Sequence, residues 1–313
     1  MLRREFLGAA GLALGASACV SGSSIAAAAT PSSSAIEAGD WVALRNLFPL
    51  TRDYIQLSTF LLASHPKPVS DEIDRHRRGL DENPSDYWHE HFQTIDGEVS
   101  AAAARYMGGQ GRQIALTDST TMGLALVYSG LKLRPGDEIL QTTHDHYSTD
   151  LSLANRAERT GAKIRRIALY EDPATTSEDS IVSNLRKGIS DNTRVVAVTW
   201  VHSSTGVQLP VRSMADAIGE INRNRAEEDQ VLFCVDGVHG FGVEDQDVSK
   251  LGCDFFIAGT HKWIFGQRGT GVIWGNDRAW QQSVAVIPSF SASYNVWLGL
   301  ETQDQVPVGE HMT

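Results

Sequence analysis

Val231-Leu-Phe-Cys-Val-Asp236-Gly-Val-His239-Gly-Phe-Gly242 and, a little further on, Phe255-Phe-Ile-Ala-Gly259-Thr-His261-Lys262-Trp263 decide the fold. Each is a short apolar run that gives way to polar residues and glycines, the pattern of a buried strand running out into a loop. The same pattern predicts strands over residues 113–116, 138–141, 163–168, 195–200, 231–235 and 255–258. Amphipathic stretches at 121–132, 151–160, 180–189 and 214–223 lie between them, bounded by Gly, Pro or Asp, and read as helices. From about residue 97 onward strand, turn and helix alternate, which specifies an α/β fold: a mostly parallel sheet with helices on both faces. Ligands of such sheets sit outside the carboxyl ends of the strands.

The chain has 313 residues, 42% hydrophobic and 21% charged, enough apolar material for a sizeable core. Its 27 basic and 38 acidic residues give a net charge of −11, opposite to the footprint of a nucleic-acid binder. Three cysteines, Cys19, Cys234 and Cys253, provide neither a disulfide framework nor the paired spacing of a structural zinc site.

At the strand ends, Asp236 and Lys262 follow two successive strands. An acid and a lysine in one pocket suit pyridoxal phosphate chemistry: the lysine forms a Schiff base with the aldehyde, and the carboxylate keeps the pyridine nitrogen protonated. Burial at a strand end disfavours the ammonium, as a nucleophilic amine requires. Ser119, Thr120 and Thr121 stand where a strand turns into a helix, a place for a phosphate, although helix capping alone also explains them. In His144-Asp145-His146-Tyr147, an imidazole or phenol can stack on a planar ring. A metal hydrolase built on His144 and His146 competes with that reading, but no further ligand set at matching spacing is evident. His89 and His91 read as solvated. Ser203 and His239 are candidate donors to the cofactor's phenolic oxygen.

The chain opens Met1-Leu-Arg3-Arg4-Glu-Phe6-Leu7, followed by a short apolar stretch to Val20 and alanines ending at Ala29. This resembles a twin-arginine export signal at residues 1–29 and implies a periplasmic location with no stable membrane span. Cys19 is a weak candidate for lipid attachment, and residues 30–40 read as a Ser-rich linker.

Taken in order, these elements resemble the class V aminotransferase family of fold-type I pyridoxal phosphate enzymes, closest to its isopenicillin N epimerase-like branch, over residues 54–313. The resemblance implies Lys262 as the Schiff-base lysine and general base, and Asp236 as partner of the ring nitrogen. It assigns the phosphate to Thr120, Thr121 and His261, and places Ser203 and His239 beside the phenolic oxygen. His146 fits the ring-stacking position, or Tyr147 if the neighbouring aromatic is aligned instead. Residues 56–60 look like a substrate-side loop, and Gln267-Arg-Gly-Thr270-Gly271 like a glycine-rich turn that approaches a partner subunit's phosphate. The expected protein is a homodimeric aminotransferase or epimerase acting on an amino acid or amine; the alternative is an inactive or incomplete cofactor-binding protein.

Relatives that desulfurate cysteine usually carry Ser three residues before the lysine, where this chain has Gly259, with Thr260 the candidate substitute. Cys234 and Cys253 do not occupy the place of their catalytic cysteine, so desulfurase or lyase activity is disfavoured and stands as a lesser alternative. Residues 41–96 are expected to form an N-terminal segment, 97–285 the cofactor-binding large domain and 286–313 the start of an incomplete C-terminal region. On the resemblance the C-terminal small domain, about 100 residues, is truncated, and with it the arginine that would hold a substrate carboxylate. Arg268 is too close to the lysine for that role.

Overall fold

A computed structural model describes residues 36–37, 39–58, 60–92 and 94–312. The expected leader and Cys19 lie outside the described residues. The chain forms two compact units, one ending at Arg45 and one starting at Asn46. Of the first, Asp40 Oδ1 accepts the Ala43 amide at 2.9 Å and so caps the short helix α1 (Trp41–Asn46).

The second unit begins with α2 (Lys67–Glu82), α3 (Pro84–His91) and α4 (Ile95–Met107). Proline occupies the first turn of α2 and of α3, and Asn83 caps α3 through the Asp86 amide. The first two of these helices precede residue 97, where the alternating pattern starts, and α4 runs across it. The strands follow as β1 (Ile114–Thr117), β2 (Glu138–Thr142), β3 (Lys163–Ile167), β4 (Thr193–Thr199), β5 (Leu232–Asp236), β6 (Phe255–Gly259) and β7 (Gly271–Gly275). They form one sheet in the order β1-β7-β6-β5-β4-β2-β3, with only β7 running against its neighbours.

Six of these strands fall on the segments read from sequence, and β7 does not. Its apolar stretch, Val272-Ile-Trp274, is only three residues long between two glycines, and so hides behind the glycine-rich turn. The helices α5 (Thr120–Gly130), α6 (Tyr147–Thr160), α7 (Glu178–Gly188) and α8 (Val211–Asn222) also match the expected segments. However, α6 starts four residues earlier than residue 151, because His146 Nδ1 accepts the Ser148 amide at 3.4 Å and caps it.

Alternate strand residues face opposite sides, as the pleat requires. Val196, Val198, Phe233, Val235 and Phe256 pack under α4, α7 and α8, and Val195, Ala197, Leu232, Cys234, Phe255 and Ile257 under α5 and α6. Both faces being covered, the middles of the central strands are apolar on both sides. Among the described residues no helix is long and apolar enough to cross a membrane.

Beside the sheet's opposite end, buried Asp254 accepts the Phe233 amide at 2.8 Å, Asn276 Nδ2 at 3.0 Å and Arg278 Nη2 at 2.9 Å. One carboxylate thus ties β5, the entry to β6 and the short helix α9 (Asp277–Gln281). Asp254→Ala leaves the half-buried guanidinium and an amide without their acceptor, and is expected to cost about 3 kcal/mol in urea unfolding. A loss below about 1 kcal/mol would contradict this account.

Candidate active site

The carboxyl ends of β1, β2, β4, β5 and β6 surround a cavity of about 290 Å³. All eight residues singled out from sequence, Thr120, Thr121, His146, Ser203, Asp236, His239, His261 and Lys262, line it. They come from five separate loops, and the sheet alone brings them together.

Asp236 ends β5, is 2% exposed, and accepts the Val238 amide at 3.1 Å. Burial pushes its pKa up to about 7, with the charge of Asp145 adding to the effect and Lys262 opposing it. Lys262 Nζ lies 3.4 Å from His239 Nε2. Burial lowers the lysine's pKa against the pull of Asp236. His239 is lowered to about 4, first by burial and then by Lys262 and His146. The pocket thus favours neutral forms of acid, base and imidazole alike.

Ser119 caps α5 by accepting the Met122 amide at 3.1 Å, so at this strand end capping falls to Ser119. Thr120 Oγ1 accepts the Gly259 amide at 2.7 Å, so its own hydrogen remains to donate. Beside it, His261 Nδ1 is buried without a hydrogen-bond partner among the described residues. A Cβ on Gly259 would lie 3.1 Å from that nitrogen and 3.1 Å from Thr120 Oγ1. Thr260 does not replace the missing serine. Its Oγ1 is 2.5 Å from Thr270 Oγ1 and 3.3 Å from the Thr270 carbonyl, which turns it toward the following loop.

His146 lines the cavity, whereas Tyr147 is 65% exposed and is not part of the lining. His144 stacks on Tyr170 with ring centroids 4.0 Å apart and planes at 2°, and its Nε2 is 3.1 Å from the Tyr170 carbonyl. The Tyr170 hydroxyl in turn meets His202 Nδ1 at 2.8 Å and Thr205 Oγ1 at 2.7 Å. His144 is therefore engaged in an aromatic stack, and among the described residues no three His, Cys, Asp or Glu side chains converge as a metal set would. Sequence reasoning missed Tyr170 and His202, although Tyr170 stands three residues past β3 and reading that strand end would have found it.

Phe60 and Leu61 also wall the cavity. The Ala63 amide donates to the His261 carbonyl at 3.3 Å, and Arg268 Nη2 donates to the Ala63 carbonyl at 3.3 Å, stitching this segment to the lysine loop. Arg268 is thus occupied with backbone.

The Aminotransferase class-V family model matches residues 63–290, and the chain belongs to that family. It is 26% identical over 234 residues to an isopenicillin N epimerase of Streptomyces clavuligerus, covering 75% of this chain and 56% of the relative. It is 32% identical over 166 residues to a probable cysteine desulfurase of Halalkalibacterium halodurans, covering 52% and 37%. A solved structure of C-DES, a variant with glycine covalently linked to its pyridoxal phosphate, superposes with a TM-score of 0.70 at 22% identity, over 78% of this chain and 62% of that one. The chain spans little more than half the length of the epimerase it matches.

The class V family uses pyridoxal phosphate, and the residues present fit it. The unpartnered His261 Nδ1, the Thr120 hydroxyl and the α5 N-terminus suit a phosphate, while the buried carboxyl of Asp236 suits a ring nitrogen.

Protonation of Asp236 up to about pH 7 means that, from its ordinary 3.8 upward, the folded protein holds a proton the unfolded chain has lost. Its contribution to stability falls as pH rises through that window. His202 and His239, both lowered to about 4 from 6.5, act in the opposite sense, and their contribution rises with pH between those values. Asp236→Asn removes only the first effect. It should steepen the rise in apo-protein stability between those histidine values by about 1.4 kcal/mol per pH unit, measured by urea unfolding at a series of pH values. An unchanged slope would mean that Asp236 is ionised throughout.

Proposed function

We propose that this is a pyridoxal phosphate-dependent enzyme acting on an amino acid or amine, as an aminotransferase or epimerase. The observation that carries the reading is one cavity holding a half-buried lysine with a lowered pKa together with a buried carboxyl on the neighbouring strand. Export to the periplasm and a homodimeric state belong to the same proposal.

When bound, the cofactor supplies an electron sink for the bonds at the substrate's α-carbon. Thr120, Thr121 and His261 hold its phosphate. Asp236 keeps a proton at the pyridine nitrogen, the position where charge must be stabilised. His146 covers the ring, and Ser203 and His239 donate to the phenolic oxygen. Lys262, with its amine favoured in the neutral form, is the group that takes the α-proton. Phe60 and Leu61 give the cavity an apolar wall. Transamination and epimerisation differ in the atom to which a proton is returned.

Several relatives are cysteine desulfurases, but Cys234 and Cys253 are both buried, and burial raises both thiols. A thiolate nucleophile needs the opposite environment. Neither of these two thiols supports desulfuration, so the reading favours proton transfer at carbon and keeps desulfuration as its lesser alternative.

The test begins with the protein incubated with pyridoxal phosphate, reduced with borohydride and mapped by mass spectrometry. A phosphopyridoxyl group is expected on Lys262 and is expected to vanish in Lys262→Ala. Incubation with a panel of amino acids in deuterated water should then put deuterium at the α-carbon of a substrate. Labelling of other lysines with Lys262 left bare would overturn the assignment.

A further inference from the structure

Trp263 follows the lysine directly, and neither the sequence motifs nor the proposed chemistry gives it a task. Its Nε1 donates to His239 Nδ1 at 3.3 Å, while the other nitrogen of that ring, Nε2, lies 3.4 Å from Lys262 Nζ. Three side chains from two loops thus form a continuous relay ending at the lysine.

The direction of this relay follows from what each group can do. An indole nitrogen only donates, so Nδ1 of His239 must present its lone pair. A neutral imidazole with an unprotonated Nδ1 carries its hydrogen on Nε2, the nitrogen that faces Lys262. An ammonium has three hydrogens and no lone pair, so it cannot accept from that N–H; the uncharged amine can. We infer that Trp263 is a positioning residue that fixes the Nε2–H tautomer of His239 and thereby selects the neutral amine of Lys262. The inference rests on Lys262 being the lysine that bears the cofactor. The same Nε2–H is the donor assigned above to the phenolic oxygen, so one indole would serve the site before and after the cofactor binds.

Two backbone features hold Trp263 in place. Gly242 has φ of +90°, and a Cβ there would fall 2.8 Å from the Trp263 carbonyl carbon, so the turn that carries His239 lies directly on the Trp263 backbone. Two residues beyond Trp263, Phe265 adopts φ of +58°, a left-handed conformation unfavourable for a bulky side chain. It is kept there by an edge contact with Phe48 at 5.1 Å and by His65 Nδ1, 3.2 Å from its carbonyl oxygen.

The groups that act electrostatically with Lys262 are Asp236 at the end of β5, His239 in the following turn, His146 at the start of α6, and His261 beside it; the charge of Arg268 acts on His261. Asp236 favours the ammonium. His239, lowered to about 4, is neutral at ordinary pH and has one hydrogen to place. A tautomer fixed by Trp263 is therefore a means of opposing Asp236 without adding a charge.

The test uses the full-length apo-protein. Long-range proton–nitrogen spectra of the histidines near neutral pH, with His239 assigned by its loss in His239→Gln, should show a protonated Nε2 and a bare Nδ1. A protonated Nδ1 in the wild type overturns the inference, and this reading needs no folded tryptophan variant. In Trp263→Phe the two tautomers should mix. The pH midpoint for the rate at which pyridoxal phosphate bonds to Lys262 should rise by roughly half to one unit, the size of one hydrogen bond. An unchanged midpoint in a folded Trp263→Phe protein would also overturn it. If borohydride mapping fails to find Lys262, the functional reading fails separately, because the tautomer is read without cofactor.

Discussion

The crevice at the strand ends depends on one carboxylate. Asp145 accepts the Thr142 amide through Oδ2 at 2.7 Å and the Thr199 amide through Oδ1 at 2.8 Å. These amides lie just beyond Gln141 and Ala197, the last paired residues of β2 and β4. From β2 the chain leaves to β3 on one side, and from β4 it continues to β5 and β6 on the other. The ends of β2 and β4 are therefore where the direction of winding reverses and where an open sheet has its natural crevice. A side chain that spans this point sets the separation of the two loops that supply His146 and Ser203. It also fixes the backbone from which His146 caps α6 and His144 stacks on Tyr170.

The same carboxylate shapes the electrostatics. Burial raises the pKa of Asp145 although two amides stabilise its charged form, and its charge helps to raise Asp236. Two acids thus stand against one cation, Lys262, which is itself depressed by burial. The surrounding imidazoles answer in kind: burial lowers His146, His202, His239 and His261. A site built in this way stores little net charge when empty of ligand. A dianionic phosphate and a basic pyridine nitrogen can then be met by donors and acids already in position, with little reorganisation.

What was legible in the sequence were residues whose chemistry shows at a strand end. Asp236 and Lys262 each follow an unmistakable apolar run, and Thr120 and His261 sit next to one, so a rule about strand ends was sufficient to collect them. What was hidden depends on long-range geometry. Nothing local to Asp145 reveals that it joins the end of its own strand to Thr199, 54 residues further along the chain. Tyr170 and His202 meet only because β3 and β4 return on either side of β2. The strand β7 was obscured because its glycines, which suit close packing beside β1 and β6, read locally as turn residues. The early start of α6 was missed because histidine is an unusual cap, and its acceptor nitrogen cannot be inferred from composition.

Gly259 sets how closely the donors around this strand end can pack. A serine there would bring a hydroxyl toward the phosphate region, but its Cβ would press on the His261 ring at 3.0 Å and on Thr120 Oγ1 at 3.1 Å. Thr260 is one residue away, yet a shift of one residue along an extended backbone turns the side chain to the opposite face. It bonds Thr270 there, which ties the lysine loop to the start of β7. The room that a serine would occupy is instead taken by an imidazole with a buried, unpartnered nitrogen and by a threonine whose hydrogen is free. Donor capacity lies in the residues around the strand end, and the small residue leaves the space for them.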